Sequence, residues 1–113
     1  MRLMDSRTPS HPSVRDVTLQ QILEALVDPV RRGIVTRLWD SDVDIKCGGF
    51  DLTVSKSTAT HHFNVLREAG LIRQHYAGTA RMNTLRRDEL EEVFPGLVAS
   101  IVTADRRTLA PAG

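Results

Sequence analysis

Residues 52–72, LTVSKSTATHHFNVLREAGLI, constrain the fold more tightly than any other stretch. They predict a turn, one helix and an abrupt stop. Ser55 is placed to cap the helix, because its hydroxyl can accept from an orphan backbone N–H of the first turn. Gly70 sits where a helix needs a left-handed residue to end, and Leu71-Ile72 leave it as an apolar pair. Between these signals the residues sort by helical angle. Ala59, Phe63, Leu66 and Ala69 fall on one face, with His62 at its edge. Ser57, Thr60, His61 and Asn64 fall on the other, flanked by Lys56 and Arg67. That outer face is short, rich in donors and acceptors, and cationic at its start. It suits a helix whose N-terminal half enters the DNA major groove.

The chain of 113 residues is long enough for one domain with a modest core. No apolar run approaches the roughly 20 residues of a membrane span. The opening MRLMDSRTPSHPS has no apolar stretch of the secretory kind. Cys47 is the only cysteine and cannot form an internal disulfide. These features point to a cytoplasmic protein with no membrane partner. The net charge of +1 announces no polyanion, but its distribution does. Lys56, Arg67, Arg73, Arg81, Arg86 and Arg87 face only Glu68 across residues 52–87. Residues 88–105 carry Asp88, Glu89, Glu91, Glu92 and Asp105 and no Lys or Arg. A basic half beside an acidic half suits a protein that meets phosphate with one side.

Residues 1–16, with Pro9, Pro12 and several serines, read as a flexible arm from which Arg2, Arg7 or Arg15 could brush a DNA backbone. A first helix is predicted from Thr18 to Val27, with Leu19, Ile22, Leu23 and Leu26 at helical spacing. Asp28 then caps a second helix whose first position is Pro29. Val30, Ile34, Val35, Leu38 and Trp39 face inward, and Arg31, Arg32 and Arg37 ride outside as mainly solvated charges. Residues 40–51 should hold the first helix-turn-helix element, kept short or irregular by Gly48-Gly49. Cys47 reads as a small buried hydrophobe. Residues 72–76 and 80–85 read as two strands around Ala77-Gly78-Thr79, a β-hairpin wing carrying Arg73, His75 and Arg81. Asp88 should cap the next helix, with Glu91 completing a capping box, and Pro95-Gly96 breaks the run. Leu97, Val98, Ile101 and Val102 then form an apolar stripe with little core left to cover. A second copy of the chain is the natural cover, through this stripe together with Leu19 and Leu23. Residues 109–113 form a tail.

The fold class expected is therefore mainly α with a small β-hairpin: a dimeric winged helix-turn-helix over residues 17–108. No Gly-rich phosphate loop, HExxH or nucleophile–base pattern points to an enzyme. His61 and His62 lie about 100° apart on the helix and cannot chelate one ion together. His62 reads as structural, and His61 as facing the groove.

The order of these pieces resembles the ArsR-type family of bacterial winged-helix transcription regulators. The strongest parts are ALVDPVRRGIV, SKSTATHHF followed by LREAGLI, and the GTAR of the wing. The resemblance spans roughly residues 18–97. It implies a homodimer that binds a palindromic double-stranded DNA operator, as a repressor. By position, Lys56, Ser57, Thr60 and His61 match the family's groove-facing residues, with Asn64, Arg73 and Arg81 as further DNA contacts. Many relatives sense metals through cysteines near the first helix-turn-helix element, or through Asp and His on the last helix. Here that element offers only Cys47, and the last helix has no histidine, so neither familiar metal site is present. A transition-metal effector would need a non-standard site built from Cys47 and a histidine, or from His11. The other alternative is a winged-helix module for protein–protein contact, against which the basic outer face of the central helix argues.

Overall fold

The computed structural model describes residues 7–109. Residues 1–6 of the expected arm, and residues 110–113 of the expected tail, lie outside them. Five helices surround one core: α1 (Leu19–Leu26), α2 (Pro29–Trp39), α3 (Lys56–Glu68), α4 (Arg87–Val93) and α5 (Leu97–Leu109). Three antiparallel strands, β1 (Ile45–Lys46), β2 (Ile72–Ala77) and β3 (Ala80–Leu85), are ordered β1-β3-β2. The core joins Ile22 and Leu26 of α1, Ile34, Val35 and Leu38 of α2, Phe63 and Leu66 of α3, and Val98 and Val102 of α5.

The helix ends follow their capping residues. Thr18 and Gln21 close a capping box at the start of α1. Asp28 accepts from the N–H groups of Val30 and Arg31. Burial pushes its pKa up, but these bonds together with the charges of His62 and Arg31 hold its carboxyl below the ordinary range. Gly70, at φ +75°, closes α3 as a Schellman motif. The Leu71 N–H donates to the Leu66 carbonyl and the Gly70 N–H to the Arg67 carbonyl, each at 3.0 Å. The wing pairs Ile72 with Leu85 through to Ala77 with Ala80. Its two-residue turn opens on Gly78 at φ +63°, a conformation that hairpin turns of this length favour at that place.

Several elements differ from the sequence reading. Residues 40–51 hold β1 and a four-residue 3-10 turn, Cys47–Phe50, rather than an α-helix. The short β1 pairs with β3 through Ile45 and Asn83. Asp88 does not cap α4, which starts two residues earlier than such a cap would set it, at Arg87 after Arg86. Glu91 instead accepts from the Gly96 N–H at 2.9 Å. Arg31 and Arg32 are not solvated charges. Arg31 donates to the carbonyls of Ala25 and Glu24, and Arg32 to those of Leu26 and Val27. The two guanidinium groups thus satisfy the orphan carbonyls at the end of α1, where the helix dipole also favours them. Arg32 reaches on to the buried Asp105 of α5 at 2.9 Å.

Residues 7–16, expected within the flexible arm, lie along the domain. Val14 and Val17 enter the core. His11 Nε2 accepts from the Gln74 N–H at 2.9 Å, on the outer edge of β2. The Arg86 guanidinium donates to the Pro12 carbonyl at 2.7 Å. The buried Val14 and two long-range hydrogen bonds thus order a segment whose composition alone points to none.

The apolar stripe of α5 is divided. Val98 and Val102 are 3% and 2% exposed inside this chain's own core, so they are not dimer-interface residues. The core that seemed too small for them is supplied by α2. Leu97 and Ile101 are half-buried. The open apolar row lies on α1, where Leu19, Leu23 and Val27 are 50%, 46% and 72% exposed at four-residue steps.

Candidate nucleic-acid interface

Helix α3 presents its first turns to solvent. Ser55 Oγ accepts from the Thr58 N–H at 3.2 Å, satisfying one of the donors at the helix start. Lys56, Ser57, Thr60 and His61 are exposed, while Phe63 and Leu66 are buried on the opposite face. The Thr60 hydroxyl donates back to the Lys56 carbonyl at 3.0 Å, which fixes its rotamer and turns an oxygen lone pair outward. His62 is buried, its Nδ1 lying 3.1 Å from an Arg31 guanidinium nitrogen. Adjacent histidines therefore have opposite surroundings, because one residue along a helix is a rotation of about 100°. Asn64 is half-buried, its side-chain oxygen accepting from Arg67 at 2.8 Å.

Strand parity divides the wing. Tyr76 and Arg81 are cross-strand partners, as are Gln74 and Asn83. These four share the inner face with the buried Ile72 and Leu85. Arg81 lies 5.6 Å from the Tyr76 ring centroid. It lines one groove with Lys56 and Thr60 of α3. Arg73 has the other parity. It is a half-exposed residue at the base of the hairpin, ion-paired to Glu89 of α4 at 2.8 Å. The structure thus brings Arg81 to the start of α3 and leaves Arg73 out of that group. His75, also on the outer face, faces Asp44 at 3.3 Å.

Two features escaped the sequence reading. Arg7 reaches the wing tip, donating to the Gly78 carbonyl at 2.9 Å with its guanidinium 4.4 Å from the Tyr76 centroid. Nothing local in the sequence signals that contact. The second is a polar network beneath the wing. Arg67 donates to Gln74, Gln74 to Asn83 at 2.8 Å, and Asn83 to the Ile45 carbonyl and to Cys47 Sγ. Gln74 and Asn83 are fully buried, so each bond avoids the cost of an unpaired amide. Period-two counting from Ile72 and Leu85 would have placed both inward. The polar neighbours of Cys47 are these amides. Among the described residues no group of three or more His, Cys, Asp or Glu is placed to hold a metal ion.

No protein-family model matches the chain. An uncharacterized HTH-type transcriptional regulator of Bacillus subtilis (strain 168), YceK, is 34% identical over 83 residues. The match covers 72% of this chain and 83% of the relative. Two solved structures share the fold at a TM-score of 0.58, each over 80% of this chain. One is an ArsR family transcriptional regulator, 22% identical, with 88% of its own chain covered. The other is an ArsR-like transcriptional regulator from Rhodococcus sp. RHA1, 26% identical, with 85% covered.

Proposed function

The chain belongs to the ArsR-type family of winged helix-turn-helix transcriptional regulators, and from that premise we propose that it represses transcription as a homodimer bound to a palindromic operator. The observation that carries this reading is the arrangement of α3. Lys56, Ser57, Thr60 and His61 are exposed together at its start, Arg81 stands beside them on the wing, and Phe63 and Leu66 anchor the opposite face. Lys56 and Arg81 bind phosphate, which sets register and orientation without reading sequence. Thr60 and His61 reach base edges in the major groove, assisted by Ser57 and the amide of Asn64. Arg73 binds phosphate only if it leaves Glu89.

Dimerisation follows from the α1 row. Leu19, Leu23 and Val27 form an exposed apolar row that a second copy covers, with the half-buried Leu97 and Ile101 of α5 as the further apolar side chains left partly open. A two-fold pair then offers two α3 helices to half-sites about one helical turn, ~34 Å, apart. Bound there, in the cytoplasm where the operator lies, the dimer excludes other proteins from the same duplex.

Selection of bound sequences from random duplexes tests the whole reading, with palindromic half-sites expected. Lys56→Ala or Arg81→Ala should weaken binding to all sequences and lower the salt slope by about one. His61→Ala should cost roughly 1–3 kcal/mol on the operator and little on random duplex. Should His61→Ala leave operator affinity intact while a folded His62→Ala abolishes it, the assigned faces of α3 are reversed. Sedimentation should give twice the chain mass at micromolar concentration and a monomer for Leu23→Asp. A wild-type monomer would remove the dimer.

A further inference from the structure

Beside the start of α3 lies a groove of about 650 Å³, walled by the 3-10 turn, the loop before α3 and the wing. Its size is that of a small-molecule site. The space exists because the first helix-turn-helix element is only a four-residue turn. A Cβ added at Gly48 would meet nothing within 4 Å. The lining has two chemistries. Leu52, Val54, Ala59, Phe63 and Tyr76 are apolar or aromatic, and Phe63 is steadied by Phe50 with ring centroids 5.4 Å apart. Lys56 and Arg81 are cationic and outnumber the one acid, Asp51. Arg81 Nε is buried and without a hydrogen-bond partner among the described residues, a donor that an acceptor would satisfy.

We propose that this groove binds a small aromatic carboxylate, the ring on the Val54–Ala59–Tyr76 wall and the carboxylate on Arg81 and Lys56. Duplex phosphate satisfies the cations but leaves the apolar wall unused, whereas an aromatic acid engages both. Such a ligand occupies Lys56, Thr60 and Arg81, the groups assigned to the duplex. The two binding events are therefore antagonistic, and by linkage each weakens the other by the same factor. This regulatory step rests on the DNA-binding reading; occupancy of the groove does not.

The test uses 2-naphthoate on the full chain without DNA. Cys47 is the only cysteine and lines the groove, so its alkylation by iodoacetamide reports occupancy there. Naphthoate at ten times its dissociation constant leaves about a tenth of the protein open and should slow alkylation about tenfold. The neutral isostere 2-naphthalenemethanol should bind at least about tenfold more weakly by calorimetry. Val54→Trp and Ala59→Leu each fill the groove and should abolish naphthoate binding in proteins whose melting stays cooperative, and Thr103→Ala, on the exposed side of α5 and outside the groove, should leave it unchanged. No calorimetric binding, no protection of Cys47, or equal affinity for the alcohol overturns the proposal, and these three arms need no variant to fold. Binding lost in Thr103→Ala but kept in both groove variants overturns it too. If naphthoate binds as described and the protein binds no duplex, the groove stands and the regulatory reading falls.

Discussion

Gly70→Ala probes the joint on which the placement of α3 depends. The backbone there is left-handed at φ +75°, which costs a residue other than glycine roughly 1–2 kcal/mol. A Cβ would also lie 2.9 Å from Val17 Cγ2. Val17 is buried and β-branched, so it cannot swing away, and overpacking of this kind costs about 1–3 kcal/mol. The narrower unfolded ensemble of alanine offsets about 0.4–1 kcal/mol. The net loss is about 2–3 kcal/mol, or roughly 10 °C in Tm for a chain of this size. Thermal melts at fixed protein concentration measure it. Gly70→Asn separates the two causes, because asparagine tolerates the left-handed backbone yet carries the same Cβ. Val17→Ala separates them the other way. Combined with Gly70→Ala it should show a favourable coupling of about 1 kcal/mol or more. A fall under about 3 °C, or strict additivity with Val17→Ala, would refute the argument that the segment before α1 packs onto the end of α3.

Three further outcomes are expected. Asp105→Ala should lower the urea midpoint by the equivalent of about 2–3 kcal/mol, less than the roughly 3–5 of a fully buried pair, because Arg32 remains 28% exposed and keeps its bonds to α1; an unchanged midpoint would make the pair incidental. Burial first, then the charges of Arg73, Arg86 and Arg67, lower the pKa of His11, and its Nε2 must be unprotonated to accept from Gln74. The unfolded chain therefore takes up the proton first. Stability should be full above about pH 6.5 and fall as pH drops towards the folded pKa, with the Gln74 amide losing hydrogen-exchange protection, and His11→Ala should flatten that portion of the curve. Glu89 is held to a pKa of about 2, chiefly by its hydrogen bonds from Arg86. Its stabilisation is present above the ordinary value of 4.5 and lost as pH falls from there towards 2, so Glu89→Gln should shrink acid destabilisation in that window.

The parts of the fold readable in advance were those whose cause is local. Asp28, Ser55 and Gly70 each act on backbone groups within a few residues, so their caps appear in the sequence itself. Features made by distant partners were not readable. Val98 and Val102 seemed to lack a core because nothing in residues 87–108 announces that α2 lies against them. Arg31 and Arg32 seemed solvated because helical angle reports which way a side chain leaves its helix, and not what carbonyl waits there. Asp88 is not the cap because Arg86 is drawn inward by Glu89 and Pro12 and the helix starts two residues sooner.

The candidate site divides along the same line. The faces of α3 follow from a period of 3.6 and the apolar anchors Phe63 and Leu66, which suffices to separate His61 from His62. The wing needs parity as well as proximity. Arg73 and Arg81 are both basic and both on the hairpin, but they lie eight positions apart across a turn. Period-two counting from the buried Ile72 and Leu85 separates them, and the register, Tyr76 opposite Arg81 and Arg73 opposite Thr84, puts them on opposite faces of the sheet. That register is fixed by the two-residue turn at Gly78, and a one-residue slip of β3 against β2 would send Arg81 outward while Arg73 stays on the outer face. Inserting one residue beside Gly78 should therefore remove the Arg81 contribution to the salt slope of duplex binding while leaving that of Lys56. If the insertion variant kept the wild-type slope, and Arg81→Ala no longer changed it, the wing's phosphate contact would have to come from a residue other than Arg81.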